Sequence, residues 1–301
     1  MRILVTDGMD KEAMAALRAE GHEVVEQFYE PDKLGEALRD FDAVVVRSAT
    51  KVRAAQIDAC RGSRLKLIIR GGVGLDNIDV DYAKAAGITV KNTPRASSNS
   101  VAELALAHML SCARFISVAG HTMREDKWEK KAYGKGIEIE GKTLGVIGYG
   151  RIGQMLGKKA QALGMTVLAY DIYHAEGVEC GTMHYVEMDE LLAKSDFISL
   201  HTPAIDGKPL INADTIAKMK DGVVFINTSR GNNVDEAALL DGLNSGKIRS
   251  AGLDVYADEP ATNHALYSHP MVSCTPHIGA ATKEAQKRIG AEIVDIIRAF
   301  R

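Results

Sequence analysis

Two successive series of short apolar, β-branched runs constrain the fold of this chain more than any other feature. The first series consists of ILVT (3–6), EVVEQF (23–28), AVVV (43–46), LKLII (65–69) and ITV (88–90). The second series begins at residue 143 and consists of LGVIG, MTVLAY (165–170), DFISL (196–200), VVFIN (223–227), AGLDV (251–255) and MVSC (271–274). Longer amphipathic stretches separate the runs. Strands that alternate with helices in this way predict parallel sheets.

Two amphipathic stretches flank the second series. SSNSVAELALAHMLSCARFIS (97–117) begins with serines suited to a helix N-cap and continues with apolar residues at helical spacing. ATKEAQKRIGAEIVDIIRAF (281–300) has an apolar side and could pack back onto the first series. We therefore expect two doubly wound parallel-sheet α/β domains, Rossmann-like or flavodoxin-like. One domain, at 98–279, is predicted to be inserted into the other, which comprises 1–97 and 280–301.

Composition excludes several classes of partner. The 37 basic and 40 acidic residues give a net charge of −3, which argues against nucleic acid or a membrane surface as the partner. No apolar run is long enough to cross a bilayer.

The N-terminus and the cysteines bear on the cellular compartment. The first ten residues turn acidic and do not resemble a signal peptide. The four cysteines show no paired spacing. We expect a cytoplasmic protein with reduced thiols and no metal.

Polar residues follow every run of the second series. Ligands of open parallel sheets bind outside the carboxyl ends of the strands, so these residues are candidates for a site. They are the glycine loop 148–153, Asp171, His201-Thr202-Pro203, Asn227-Thr228-Ser229-Arg230-Gly231, Asp254 and Pro276-His277-Ile278-Gly279.

The glycine loop has the spacing of a dinucleotide-binding fingerprint. Gly148, Gly150 and Gly153 follow a predicted strand and open a predicted helix, and Asp171 ends the next strand about 20 residues further on. The glycines let backbone amides approach a pyrophosphate, and the helix N-terminus favours its charge. Asp171 would accept hydrogen bonds from ribose hydroxyls and repel a 2′-phosphate. The sequence therefore predicts NAD rather than NADP as the cofactor.

Three residues have the chemistry needed to reduce a 2-oxo acid with a nicotinamide. Arg230 offers a cation for the carboxylate and carbonyl, His277 offers a proton, and Glu259 could hold the imidazole in its charged form and correct tautomer. Taken singly, His277 could equally be an ordinary loop histidine and Glu259 a solvated turn carboxylate. The residues alone leave both interpretations open.

The chain resembles the D-isomer-specific 2-hydroxyacid dehydrogenase family over nearly its whole length. The similar motifs are VRSATKV (46–52), IRGGVGLDNID (69–79), NTP (92–94), AEL (102–104), GKTLGVIGYGRIG (141–153), HTP (201–203), NTSRG (227–231), GLDVY (252–256), DEP (258–260) and PHIGAATKEAQ (276–286). In that family the nucleotide domain is inserted into the substrate domain. The resemblance is strongest to the branch that oxidises 3-phosphoglycerate in serine biosynthesis.

The resemblance implies a role for each site residue. Arg230 would bind the substrate carboxylate and carbonyl, His277 would be the acid/base, and Glu259 would be its partner. Gly72, Val73 and Gly74 would offer backbone amides to the substrate, and Arg47 and Arg70 would face its phosphate. The residues implied to line the NAD site are Gly148, Gly150, Arg151, Ile152, Gly153, Asp171, His201, Thr202, Pro203, Thr228, Ser229, Asp254, Gly279 and Ala280.

Several alternatives follow from the same comparison. Val73 replaces a threonine common in the branch, which keeps hydroxypyruvate or another 2-oxo acid open as substrate. NAD-sensing co-repressors share this fold and can retain the same Arg-Glu-His set. A formate dehydrogenase is disfavoured because that branch pairs its histidine with glutamine, whereas this chain carries Glu259. The chain stops at Arg301, so a C-terminal regulatory domain is not expected, and the helix 97–117 with the charged stretch 124–142 suggests a homodimer.

Overall fold

The computed structural model describes residues 1–174, 177, 180–205 and 207–300. The chain divides into two compact units. The first unit comprises Met1–Ser97 and Ala280–Arg301, and the second comprises Ser98–Gly279. The first unit is therefore formed by two separate segments of the chain.

The described residues form twelve strands and twelve α-helices. The strands are β1 (Arg2–Val5), β2 (Glu23–Glu26), β3 (Ala43–Val46), β4 (Leu67–Arg70), β5 (Thr89–Asn92), β6 (Thr143–Ile147), β7 (Thr166–Tyr170), β8 (Met183–Tyr185), β9 (Phe197–Leu200), β10 (Val223–Asn227), β11 (Ile248–Leu253) and β12 (Val272–Cys274). The helices are α1 (Lys11–Ala19), α2 (Pro31–Leu38), α3 (Ala54–Ala59), α4 (Val80–Ala85), α5 (Ser98–Arg114), α6 (Ile116–Arg124), α7 (Arg151–Ala162), α8 (Met188–Lys194), α9 (Ala213–Lys218), α10 (Glu236–Ser245), α11 (His264–Tyr267) and α12 (Lys283–Ala299).

The first unit is a five-stranded parallel sheet in the order β2-β1-β3-β4-β5. This is the flavodoxin-like order. Ile3 and Val5 of β1 belong to a core cluster with Leu17 of α1 and Ile293 of α12. Leu4 lies in a second cluster, with residues of α2 and α3. Because successive side chains of a strand point to opposite faces, helices cover both faces of the sheet.

The second unit is a seven-stranded parallel sheet in the order β12-β11-β10-β9-β6-β7-β8. Counted from β6, this is the Rossmann order with one further strand at the edge. Its first βα unit joins β6 to α7, the helix that the glycine loop precedes. The predicted fold class of two doubly wound parallel-sheet domains is thus confirmed.

The sequence analysis missed one strand of this sheet. β8 pairs with β7 at the edge, but its three residues, Met183–Tyr185, include an exposed histidine. Such a short edge segment needs no continuous apolar run, and the search for apolar runs therefore passed over it.

The stretch predicted as one helix at 97–117 contains a bend. α5 ends at Arg114, and Phe115 takes a left-handed conformation with φ of 58° before α6 begins. α5 packs on β10 and β11 through a buried face that includes Ala105, Met109 and Cys112. In the described part of the chain, the length and apolarity needed to cross a membrane occur only in the pair α5 and α6, bent by 68°, and in no single helix.

We expect Phe225→Ala to lower the free energy of unfolding by about 3–5 kcal/mol, because truncating a buried phenylalanine leaves a cavity. Phe225 lies in β10 and is fully buried. Urea unfolding followed by circular dichroism measures the change. Phe28→Ala is the matched control because Phe28 is 54% exposed, and it should change stability by no more than about 0.5 kcal/mol. Equal losses in the two variants would contradict the assigned core.

Candidate functional site

The carboxyl ends of the second unit's strands carry the residues that the sequence analysis selected. Because all pairings of this sheet are parallel, these ends share one edge. The glycine loop follows β6 and Asp171 follows β7. The residues that follow the other strands are His201-Thr202-Pro203 after β9, Thr228-Ser229-Arg230 after β10, Asp254 after β11 and Thr275-Pro276-His277 after β12.

Glycine is needed at two positions of the loop between β6 and α7. Gly148 has a φ of +90°, and a Cβ there would lie 2.8 Å from the backbone carbonyl carbon of His201. A Cβ on Gly153 would collide with the carbonyl oxygen of Gly148. The loop therefore folds back on itself and passes close to the end of β9, as a phosphate-binding turn requires.

The N-terminus of α7 has the features of a dinucleotide site. Gly150 is the N-cap, and a Cβ there would meet no atom within 4 Å, so backbone amides are accessible to a ligand. Arg151 and Ile152 form the first turn. Two buried polar atoms at neighbouring strand ends, Nδ1 of His201 and Oγ1 of Thr228, have no hydrogen-bond partner in the part of the chain that the structure describes. These residues fit a bound dinucleotide.

His201 is held as a neutral imidazole. Burial lowers the pKa of its ring to about 4, so the ring carries no charge near neutral pH. Its Nε2 lies 2.8 Å from the hydroxyl of Ser199. A neutral ring at this position adds no cation to the loop and can act as a hydrogen-bond donor or acceptor toward a ligand.

Asp171 lies directly after β7. Its Oδ1 accepts a hydrogen bond of 3.0 Å from the backbone amide of Tyr173. The residues Ile172 and Tyr173 are 80% and 79% exposed. The carboxylate of Asp171 thus orders the turn through its own hydrogen bond, and the two side chains that follow it point into solvent and do not cover it.

Asn233 holds the loop after β9, and the sequence analysis did not select it. It is fully buried, and its Nδ2 donates to Oγ1 of Thr202 at 2.9 Å and to the carbonyl of Pro203 at 2.7 Å. Its Oδ1 accepts from the amide of Ile205. The only signal in the sequence is an amide side chain directly before the apolar Val234. Its importance follows from contacts with a loop that is about 30 residues away, which no local pattern encodes.

The turn that carries Arg230 is shaped by Asn227 and Gly231. Oδ1 of Asn227 accepts from the amide and hydroxyl of Ser229, and its Nδ2 donates to the carbonyl of Arg230. A Cβ on Gly231 would collide with the backbone of Tyr256. This glycine therefore allows the Arg230 turn to approach the segment that leads to Glu259.

Glu259 and His277 form a hydrogen-bonded carboxylate–imidazole pair that joins two distant segments of the sequence. Oε2 of Glu259 lies 2.7 Å from Nδ1 of His277, and the two side chains are 39% and 41% exposed. Burial would raise the pKa of Glu259, but the hydrogen bond and charge of His277, with a smaller contribution from Arg230, hold that pKa below its ordinary value. The other two residues of the predicted trio thus both lower the pKa of Glu259.

The ionised Glu259 determines which histidine nitrogen is available for chemistry. A carboxylate only accepts hydrogen bonds, so the proton of this contact belongs to Nδ1 of His277. Nε2 can then give or take a proton. The turn beside Glu259 is fixed by Glu236, whose Oε1 accepts from the amide of Ala257 at 2.9 Å.

A cavity of about 420 Å³ lies beside this pair. Its lining includes Glu259, His277, Tyr256, Tyr267 and Cys274. A volume of this size accommodates a small organic molecule. The carboxylate–imidazole pair is therefore reachable by a small molecule.

Asp254 is buried beneath the loop that carries His277. It is 1% exposed, and Oδ1 accepts from the hydroxyl of Thr275 at 2.7 Å and from the amide of Ile278 at 2.8 Å. Oδ2 accepts from the amide of Gly279 at 2.8 Å. Both oxygens thus bind the loop that carries His277. Ala280, which follows Gly279, begins the second segment of the first unit. Its carbonyl accepts a hydrogen bond from the side chain of Gln286.

In the first unit, Arg47 and Arg70 flank one glycine turn. A Cβ on Gly71 would lie 3.6 Å from Cγ of Arg47, and the place of a Cβ on Gly72 is taken by the guanidinium of Arg70. Gly72 has a φ of +148°, which favours glycine. The exposed Val73 and the half-buried Gly74 follow in the same turn.

Residues that the sequence analysis missed hold this turn. Asp7 accepts from the amide of Arg47 at 2.6 Å, and Asn77 donates to the carbonyl of Arg47 at 2.7 Å. Asn92 donates to the carbonyl of Val73 at 2.6 Å. A cavity of about 440 Å³ adjoins Arg47, and its lining also includes Asp10 and, from α12, Lys283 and Lys287.

Comparisons with known proteins identify the class. The family model described as "D-isomer specific 2-hydroxyacid dehydrogenase, NAD binding domain" matches residues 106–279. The chain belongs to the D-isomer-specific 2-hydroxyacid dehydrogenase family. It is an NAD-dependent oxidoreductase that acts on 2-hydroxy acids.

Individual relatives differ in substrate. A hydroxypyruvate reductase of Thermotoga maritima is 50% identical over 98% of this chain and 97% of its own length. A D-3-phosphoglycerate dehydrogenase of Mycobacterium tuberculosis is 42% identical over 98% of this chain, which spans 56% of that protein's length. The solved structure of a D-lactate dehydrogenase from Aquifex aeolicus, in complex with NAD and lactic acid, has a TM-score of 0.86 and 31% identity and covers 100% of this chain and 95% of its own.

We expect Asp171→Ala to raise the KM for NADH about 10- to 100-fold, the range expected from losing hydrogen bonds to a charged acceptor. The KM for NADPH should fall relative to that for NADH, because the variant no longer repels a 2′-phosphate. Initial rates with both cofactors test this. Asp214→Ala removes an exposed carboxylate paired with Lys208 and is the control. An unchanged KM for NADH in Asp171→Ala would show that this carboxylate does not bind the ribose.

Proposed function

We propose that the protein interconverts 3-phosphoglycerate and 3-phosphohydroxypyruvate with NAD, as a step of serine biosynthesis. The observation that carries the choice of a phosphorylated substrate is the pair of arginines, Arg47 and Arg70, on either side of the Gly71–Gly72 turn. Two arginines whose side chains pack against one turn suit a dianionic phosphate, because guanidinium groups can bind it with charge-assisted hydrogen bonds. The cavity beside Arg47 has three cationic side chains in its lining, Arg47, Lys283 and Lys287, against one carboxylate, Asp10, and this excess of positive charge supports the same choice.

The second unit supplies the chemistry in this proposal. Bound at the glycine loop and Asp171, the cofactor would supply a hydride acceptor as NAD in oxidation and a hydride donor as NADH in reduction. Nε2 of His277 takes the hydroxyl proton in oxidation, and the protonated ring gives it back in reduction. Glu259 keeps the proton on Nδ1 and stabilises the imidazolium that forms.

Arg230 completes the proposed machinery. Its guanidinium would bind the substrate carboxylate and polarise the carbonyl, so that negative charge developing on that oxygen is stabilised. Its Nη1 donates to the carbonyl of Ser229 at 2.7 Å, which holds the guanidinium against its own turn. A group fixed in advance needs little reorganisation during the reaction.

A second candidate is the reduction of hydroxypyruvate, the same three-carbon acid without the phosphate. The observation in its favour is the 50% identity with the Thermotoga maritima reductase over nearly the full length of both chains. The catalytic roles of Arg230, Glu259 and His277 are identical in the two candidates. Only the partner of Arg47 and Arg70 differs.

We expect His277→Ala to lower kcat by about two orders of magnitude or more, as loss of an acid/base group does. The affinity for NADH should stay within about twofold, because the glycine loop and Asp171 are untouched. Turnover and a fluorescence titration of NADH measure the two quantities. His121→Ala removes a histidine of α6 that is paired with Glu125 and should match the wild type. Near-normal turnover in His277→Ala would exclude its role as acid/base.

We expect Arg47→Ala to raise the KM for 3-phosphohydroxypyruvate about 10- to 100-fold, because a charge-assisted contact to the phosphate is lost. The KM for hydroxypyruvate should change little. Arg64→Ala, which breaks an ion pair with Asp42 in the same unit, is the control. Initial rates of NADH oxidation with the two acids decide between the candidates. Equal efficiency of the wild type with both acids, and an equal effect of Arg47→Ala on both, would favour hydroxypyruvate as the substrate.

A further inference from the structure

The helix α5 carries a buried histidine that none of the roles above uses. His108 is 3% exposed and faces β11. Gly252 of β11 makes room for it, because a Cβ at that position would lie 2.5 Å from the Cβ of His108 and 2.8 Å from Cδ1 of Ile226. The side chain of His108 therefore fits against β11 only because residue 252 has no side chain.

Both ring nitrogens of His108 contact hydroxyl groups of the last strand and the loop after it. Nδ1 lies 3.0 Å from Oγ of Ser273, and Nε2 lies 3.0 Å from Oγ1 of Thr275. Thr275 donates its single hydroxyl proton to Oδ1 of Asp254 at 2.7 Å. Thr275 must then accept from His108, which places the ring proton on Nε2. Nδ1 accepts from Ser273 in turn.

This chain of hydrogen bonds has a defined direction and ends at a carboxylate. Burial lowers the pKa of His108, while the negative charge of Asp254 opposes that shift. The ring is consequently neutral near pH 7, as the single proton on Nε2 requires. A neutral donor polarised toward an anion makes a stronger hydrogen bond than one between two neutral groups.

Asp254 holds the loop on both sides of His277. It accepts from Thr275 before His277 and from the amides of Ile278 and Gly279 after it. His277 itself has a φ of 54°, in the left-handed region that non-glycine residues rarely adopt. Such a conformation persists only where neighbouring contacts enforce it.

We propose that His108 is a positioning residue for His277, acting through Thr275 and Asp254. This inference rests on the proposed function, because it gives the fixed orientation of His277 a use. Nε2–H of His108 fixes the hydroxyl of Thr275, and that hydroxyl fixes the carboxylate to which the loop is bound. Losing the histidine removes the donor to Oγ1 of Thr275 and weakens the hydrogen bond that this hydroxyl gives to Asp254. The loop is then loosened without any change to cofactor, substrate or Glu259.

Amide hydrogen exchange tests the inference without any need for activity. In His108→Leu, the amides of Ile278 and Gly279 should exchange about tenfold faster, the change expected from weakening one hydrogen bond. Amides of β10 in the same variant report global stability. Met109→Ala is the matched control, because it removes a buried apolar side chain from the next position of α5 and no hydrogen bond. It should not accelerate the two loop amides selectively.

Kinetics supply the second measurement. His108→Leu should lower kcat about five- to tenfold, in line with the loss of one hydrogen bond, and leave the KM for NADH unchanged. His108→Gln should recover most of kcat, because its side-chain amide can donate to Thr275. Met109→Ala should keep kcat within about twofold. Truncating this buried side chain lowers the free energy of unfolding but removes no hydrogen bond from the loop of His277.

The outcomes separate the inference from the proposed function. Unchanged exchange at Ile278 and Gly279 in His108→Leu would overturn the inference, whatever the enzyme does. Selective acceleration in a protein whose wild type reduces neither acid would support the positioning contact and refute the proposed substrate. Equal acceleration in Met109→Ala, or no recovery of kcat in His108→Gln, would reduce His108 to a packing role and also overturn the inference.

Discussion

Parallel strands of one sheet end at the same edge, and in the second unit this constraint gathers side chains that are far apart in the sequence. Arg230, Glu259 and His277 lie in three different loops at that edge. The glycine loop and Asp171 lie at the ends of two neighbouring strands. Cofactor chemistry and proton transfer can therefore share one surface without any of these residues being close in sequence.

Glycines allow loops and helices to approach one another closely at this edge of the sheet. Gly153 lets the glycine loop fold on itself, Gly231 lets the Arg230 turn reach the segment before Glu259, and Gly252 makes room for His108. A Cβ would strike the start of the same loop at Gly153, the segment before Glu259 at Gly231, and α5 at Gly252. The glycines thus determine the distances between functional groups, while the charged residues determine the chemistry.

Buried and half-buried carboxylates and amides hold the loops in place. Asp254 binds the loop of His277, Asn233 binds the loop of Thr202, and Glu236 binds the turn before Glu259. Asp7 does the same for Arg47 in the first unit. Each uses its acceptors or donors on backbone groups of a loop that has no regular partner. Buried polar groups need such partners, so the contacts of Asp254 and Asn233 stabilise both the loop and the buried side chain.

The sequence alone determined the class of fold, the family, the cofactor and the identity of the charged candidates. Apolar periodicity and the glycine spacing are local properties, and β8 escaped because its three residues carry no such pattern. Tertiary structure alone decided that Glu259 meets His277, that Asp254 binds the loop rather than facing solvent, and that His108 and Asn233 belong to the supporting contacts. These contacts join residues that are distant in the chain. Whether they form depends on how the helices and strands pack, and no single stretch of sequence specifies that packing.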